Sequence, residues 1–234
     1  MDFKTRISTT QNGEHRIYGM SVVDLIDKHS FGEVIFLILK GSFPNDNERQ
    51  LLEAMLVAAI ENGIEAPSIF VPRTVASTGG TTSAALAAGV LTIGENHGGA
   101  VEAAARLLAS QEDATAMVAA QKIIPGYGHK IYKDEDPRAT ALREKAKELG
   151  FLGAAFERAY AIEVALKEKT GKHLPLNIDG AMAACMLELG LDASLGKSLF
   201  IIARVVGMAA HVAEEQAQEN SYHRLSEDDV TYEG

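Results

Sequence analysis

Apart from one opening segment, the apolar residues of this 234-residue chain recur at three- and four-residue spacing. A chain patterned in this way buries its apolar stripes by packing helix on helix. Strand-like alternation is confined to Thr5–Tyr18, where Asn12-Gly13 predicts a short hairpin. Ser21 then suits a helix cap, and Phe31–Lys40 carries a dense apolar face that Gly41-Ser42-Phe43-Pro44 ends. Asn47–Asn62 places Leu51, Leu52, Met55, Leu56, Ala59 and Ile60 at helical spacing. The small residues from Ser77 to Ile93 predict a buried central helix. Pro137 opens another helix at an early position, where a missing N–H costs little. Arg138–Glu148 and Gly153–Thr170 read as charged outer helices, Ala181–Leu189 and Ser198–Gln216 as apolar ones. The fold class is all-α.

Composition removes several functions. A formal charge of −10 with no basic tract repels nucleic acid and acidic membrane surfaces. The start lacks the basic-then-apolar order of a signal peptide, and the longest apolar runs are interrupted short of a bilayer span, so the expectation is a cytoplasmic protein with no membrane partner. Cys185, the single cysteine, lies in an apolar helical stretch that suits an inert buried thiol. No His/Cys/Asp spacing fits a metal site, and no Gly-Lys-Thr phosphate loop occurs.

Against this background stand three polar islands: Glu95-Asn96-His97-Gly98-Gly99-Ala100, Pro125-Gly126-Tyr127-Gly128-His129, and Asn177-Ile178-Asp179-Gly180. Each sets a histidine or an aspartate beside glycine, which leaves a neighbouring side chain room to meet a ligand. Asp179 also suits the N-cap of the alanine-rich helix after it. His211 reads as a supporting residue on the helix of Arg204, and His15, His29, His173 and His223 as surface residues.

With Arg73-Thr74-Val75-Ala76-Ser77-Thr78-Gly79-Gly80 ahead of the first island, Asp136-Pro137-Arg138 after the second and Leu176 before the third, these motifs resemble the citrate synthase superfamily over most of the chain. They are similar in particular to its short members, the citryl-CoA lyases, and to the matching terminal module of ATP-citrate lyase. The resemblance implies a citrate-synthase-like all-α fold of two domains, with the active site in the cleft. The large domain would comprise residues 1–98 and 191–234, and a small one would be inserted at 99–190.

Such enzymes make or break a carbon–carbon bond beside a thioester, which needs a base for the acetyl methyl group and a donor for the enolate oxygen. The resemblance implies Asp179 as the base and His97 as the donor. His129 would sit at the ketone oxygen, donating in condensation and accepting the hydroxyl proton in cleavage. Arg138, Arg204 and Arg224 would bind substrate carboxylates through their planar forks, Arg224 being the one that family members send across a dimer. CoA would lie over Pro125, Gly126, Tyr127 and Gly128, with Lys130 or Lys133 near its phosphates. The substrate is then a CoA thioester and no cofactor is permanently bound; the protein is a homodimer or higher homo-oligomer, and a CoA-ligase partner stays open.

The leading function is cleavage of citryl-CoA to acetyl-CoA and oxaloacetate. Its alternatives are the reverse condensation coupled to thioester hydrolysis, and a non-catalytic subunit that binds acyl-CoA or a polycarboxylate. One departure bears on the acid: where relatives carry an Asp-His pair before the central helix, this chain reads Glu61-Asn62-Gly63. Asparagine donates a hydrogen bond there but carries no charge.

Overall fold

The computed structural model describes residues 2–121, 123–129, 131–218 and 222–234. Among them are eleven α-helices: α1 (Val22–Lys28), α2 (Phe31–Lys40), α3 (Asp46–Ala59), α4 (Pro67–Ser77), α5 (Thr82–Leu91), α6 (Ala100–Ala109), α7 (Ala114–Ala120), α8 (Pro137–Glu148), α9 (Ala154–Thr170), α10 (Ile178–Glu188) and α11 (Gly196–Ala217). The all-α expectation holds. The predicted hairpin is present as β1 (Ser8–Gln11) and β2 (Glu14–Ile17), with Ser8 opposite Ile17 and β3 (Met20–Ser21) added antiparallel. Asn12 and Gly13 both take positive φ at its turn, which matches the right-handed twist of the strands they join.

The chain divides into two compact units, residues 1–58 with 100–197, and 59–99 with 198–234. The sequence expectation joined residues 1–98 to 191–234; instead, the first 58 residues group with 100–197. Polar ties show why. The Lys40 ammonium donates to the Leu189 carbonyl at 2.6 Å, and the Asn47 amide donates to the Leu149 carbonyl at 3.2 Å.

The first unit is built around α10, which packs against α6, α8 and α9. Ile178 and every residue from Gly180 to Met186 are buried. Met182 and Met186 are fully enclosed, each contributing roughly 1.5–3 kcal/mol through burial. Cys185 lies in the same run, and burial pushes its thiol well above the usual range, as an inert thiol requires. His29, expected at the surface, is half-buried and stacks on Phe43 with ring centroids 4.0 Å apart.

The second unit packs α4 and α5 with α11 through Ala76, Ala85 and Val212. At Gly89 the helices approach so closely that a Cβ would lie 3.0 Å from Met208 Sδ and 3.1 Å from Pro72 Cγ. The predicted central helix proves shorter than Ser77–Ile93, and only Ala85 and Gly89 of α5 are buried, so its outer face stays open. The helical run Ala193–Ala217 is long and apolar enough to span a membrane by length and composition, contrary to the sequence expectation. Its buried Arg204 and Glu215 are held by partners within the unit, as in a core helix.

Candidate active site

The site residues fall into two constellations, one in each unit. In the second unit, His97 follows α5 on a turn closed by its own N–H to the Gly94 carbonyl at 3.1 Å. Ala66 and Pro67 start α4 beside it, and proline in the first turn brings Ser68 to the helix N-terminus, where backbone N–H groups lack partners within the helix. The Ser68 N–H points at His97 Nε2 across 3.4 Å, and Ser68 Oγ lies 2.9 Å from the same nitrogen. Ser68 is fully buried, and its Oγ accepts from Arg204 Nη1 at 3.0 Å.

These contacts assign the tautomer. A backbone N–H can only donate, and the Ser68 hydroxyl that accepts from Arg204 has its proton free for the imidazole. His97 Nε2 is therefore an acceptor, and the ring proton sits on Nδ1. Burial, followed by the positive charge of Arg204, holds the His97 pKa below its ordinary value, so the ring is neutral near pH 7. The result is an uncharged imidazole with one fixed donor.

Arg204 was expected to receive a substrate carboxylate. It is only 2% exposed, with Nε donating to the Ala59 carbonyl at 2.8 Å and its guanidinium 4.8 Å from the Phe200 ring centroid. Phe200 also meets the His97 ring edge-on, so Arg204 and Phe200 together hold Ser68 and His97 in place. Ser68 was missed in the sequence, where its only signal was a serine directly after a helix-opening proline.

In the first unit, His129 Nδ1 accepts from the backbone N–H groups of Ile131 at 3.1 Å and Tyr132 at 3.2 Å. Those two bonds favour a proton on Nε2, but Arg138 Nη2, which can only donate, lies 3.5 Å from that nitrogen, so donors face both sides of the ring. Burial holds the His129 pKa below its ordinary value; Asp136 opposes that shift, and the Arg138 and Lys133 charges add to it. Lys133 itself donates to the His129 carbonyl at 3.0 Å; Lys130 lies outside the described residues.

Asp136 joins this histidine to the third motif. It is 1% exposed and caps α8, and its two oxygens take Arg138 Nε at 3.1 Å and Nη2 at 3.0 Å. Its Oδ2 also accepts from the Ile178 N–H at 3.2 Å, beside Asp179. Burial alone would raise this carboxyl, but the Arg138 hydrogen bonds and charge hold it below the ordinary range. In sequence Asp136 read as the opening of a helix and as part of the Asp136-Pro137-Arg138 motif, with no role of its own in the site.

Asp179 is half-buried in the first turn of α10, and the cap is Asn177, whose Oδ1 accepts from the Asp179 and Gly180 N–H groups. The capping role considered for Asp179 thus falls to Asn177. Asn177 Nδ2 donates to the Gly128 carbonyl at 2.9 Å, and the Asn177 N–H to the Gly126 carbonyl at 2.9 Å. Gly126 takes φ +87°, and a Cβ there would stand 2.9 Å from the Gly180 Cα, so two glycines let the second and third islands touch. The Gly128 N–H is likewise bonded to the Pro175 carbonyl, and the buried Tyr127 hydroxyl to the Ala159 carbonyl. Much of the polar backbone of Gly126 and Gly128, expected to read CoA, is committed to this internal pairing.

The structure therefore unites His97 with Arg204 through Ser68, and His129 with Arg138 and Asp179 through Asp136 and Asn177. Arg224 lies in the exposed C-terminal segment. His211 supports, as expected: its Nδ1 is 3.2 Å from Arg73 Nη1 and its Nε2 is 3.2 Å from Glu61 Oε1.

Comparison with known proteins shows the fold and the family. The citryl-CoA lyase of Hydrogenobacter thermophilus is 42% identical and superposes with a TM-score of 0.93, over 99% of this chain and 94% of that one. The ATP citrate lyase of Methanothrix soehngenii, solved with citrate and coenzyme A, shares the fold at a TM-score of 0.87 and 24% identity, over 99% of this chain and 42% of that one. The putative citrate synthase 2 of Mycobacterium tuberculosis is 30% identical over 206 residues, 82% of this chain and 54% of the relative. The chain spans about half the length of that curated relative, and 38% of the ATP-citrate synthase subunit 1 of Sordaria macrospora. Residues 44–226 match the family described as the citrate synthase C-terminal domain, and the chain belongs to the citrate synthase family.

Proposed function

We propose that this protein cleaves citryl-CoA to acetyl-CoA and oxaloacetate. The observation that carries the reading is the state of His97: neutral, with Nε2 occupied by Ser68 and the ring proton on Nδ1. When the carbon–carbon bond breaks, its electron pair moves onto the acetyl thioester as an enolate, and a preorganised neutral donor stabilises the enolate oxygen. Asp179, entering as the acid, gives its proton to the enolate carbon, and His129 takes the proton of the tertiary hydroxyl as that carbon becomes a ketone. Protons balance, and no third substrate is consumed. Arg138, aligned by Asp136, serves a substrate carboxylate. Arg224 serves another in a homodimer, for which the open face of α5, with Leu91 84% exposed, offers an apolar surface.

One observation favours the reverse reaction as the second reading. In the tautomer that the Ile131 and Tyr132 amides favour, the His129 ring carries its proton on Nε2, which suits the ketone oxygen of oxaloacetate. From that tautomer, accepting a hydroxyl proton at Nε2 requires the ring to shift its own proton to Nδ1 and release the Ile131 and Tyr132 amides. The deciding experiment follows oxaloacetate and free CoA together. Oxaloacetate from citryl-CoA without free CoA supports the lyase, whereas free CoA from acetyl-CoA plus oxaloacetate supports a synthase. Neither product would overturn both.

A further inference from the structure

Beyond α11 the described C-terminal segment, residues 222–234, is exposed throughout. Among the described residues, the contacts that tie it to the rest of its unit come from His223. The His223 N–H donates to Ser77 Oγ at 3.1 Å, and His223 Nε2 lies 2.8 Å from Glu215 Oε1.

The second contact is unusual because of where it ends. The Glu215 side chain is 1% exposed, and its Oε2 accepts from Arg73 Nε at 2.7 Å. Its Oε1 is buried and has no hydrogen bond of good geometry, His223 Nε2 approaching it at ion-pair distance. The remaining charged neighbours are spoken for: Arg73 Nη1 also reaches Glu214 Oε2 at 2.9 Å and His211 at 3.2 Å, and His211 reaches Glu61. Three carboxylates, Glu61, Glu214 and Glu215, thus share one guanidinium and the two imidazoles of His211 and His223. A buried carboxylate oxygen without a donor is costly, so Oε1 is a socket for an N–H. Burial by itself would raise the Glu215 carboxyl, yet His223 and Arg73 together hold it below the ordinary value.

We propose that His223 is a positioning residue: its imidazole, seated on Glu215, clamps the C-terminal segment and thereby fixes the backbone of the adjacent Arg224 for a substrate carboxylate. The inference rests on the proposed role of Arg224, but the clamp stands on its own contacts. Without it, ordering the segment would fall on substrate binding rather than on folding, which raises KM and leaves the chemical step alone.

The test compares His223→Ala, His223→Gln, Ser77→Ala and Arg224→Ala in the full chain, by hydrogen exchange of residues 222–234 and by steady-state cleavage of citryl-CoA. His223→Ala should speed exchange and raise KM about tenfold, with kcat within about twofold. Gln at 223 places an amide N–H where Nε2 stood and should restore most of both, a rescue that a bulk packing role would not show. Ser77→Ala should give a weaker version of the same pattern, and Arg224→Ala should raise KM without altering exchange. Unchanged exchange in both His223→Ala and Ser77→Ala overturns the clamp. Faster exchange with KM unmoved in His223→Ala but raised in Arg224→Ala overturns the positioning role. Faster exchange with KM unmoved in both overturns the assignment of Arg224 and leaves the clamp standing.

Discussion

Ser68→Ala isolates the step on which the proposed chemistry depends. The substitution removes one oxygen that lies 2.9 Å from His97 Nε2 and 3.0 Å from Arg204 Nη1, in a residue with no solvent exposure. Losing a neutral hydrogen bond costs about 0.5–1.5 kcal/mol, and stranding a buried charged donor costs about 1–3 kcal/mol. Unfolding stability should therefore fall by roughly 2–4 kcal/mol, moderated by the Ala59 carbonyl that Arg204 keeps. Catalysis should fall for a separate reason. Only the Ser68 N–H, at 3.4 Å, would still favour a bare Nε2. If about 1.4 kcal/mol of tautomer preference is lost, the ratio of the productive Nδ1–H form to its competitor drops roughly tenfold, and kcat falls by up to that factor as the competitor becomes the major form. KM should stay within about twofold, because the lost interaction acts on the transition state. The assay is steady-state cleavage of citryl-CoA, paired with 15N spectra of the His97 ring in wild type and variant. A stability loss with unchanged kcat, or a wild-type spectrum with the proton on Nε2, would refute the reasoning.

Asp179→Asn keeps the shape of the α10 first turn and removes the proton carrier, so kcat should drop roughly a thousandfold with folding intact by circular dichroism. Asp136→Asn leaves Arg138 without its two-oxygen partner and the Ile178 N–H poorly matched; breaking a buried pair of this kind costs about 3–5 kcal/mol, read by urea denaturation. His97 and His129 both have lowered pKa values in the folded state, so the unfolded chain binds protons first on acidification. Their contribution is present above the ordinary value of 6.5 and should be lost as pH falls from there through the lowered folded values, and urea midpoints across that window check the sign. Leu91→Asp places a charge on the open α5 face and should shift a dimer to monomer in light scattering, whereas an unchanged mass would remove that face from the interface.

Which residues form helices, and which polar islands interrupt them, was legible in the chain because both are local properties. Helical spacing marked α2, α3 and α11, Asn12-Gly13 marked the hairpin, and glycine beside His97, His129 and Asp179 marked the candidate positions. The motif order was enough to suggest the family. What a linear reading lacked was every relation between distant residues. It could not place Ser68 29 residues away from His97 along the chain and against its ring, nor turn Arg204 inward to hold that serine. It also joined the first 58 residues to 191–234, whereas compactness groups them with 100–197, through ties such as Lys40 to Leu189, 149 positions apart. The identity of the candidate groups is thus written in local sequence. Their protonation is decided by burial and by donors arriving from elsewhere in the chain, and these exist only once tertiary packing has removed water from around them.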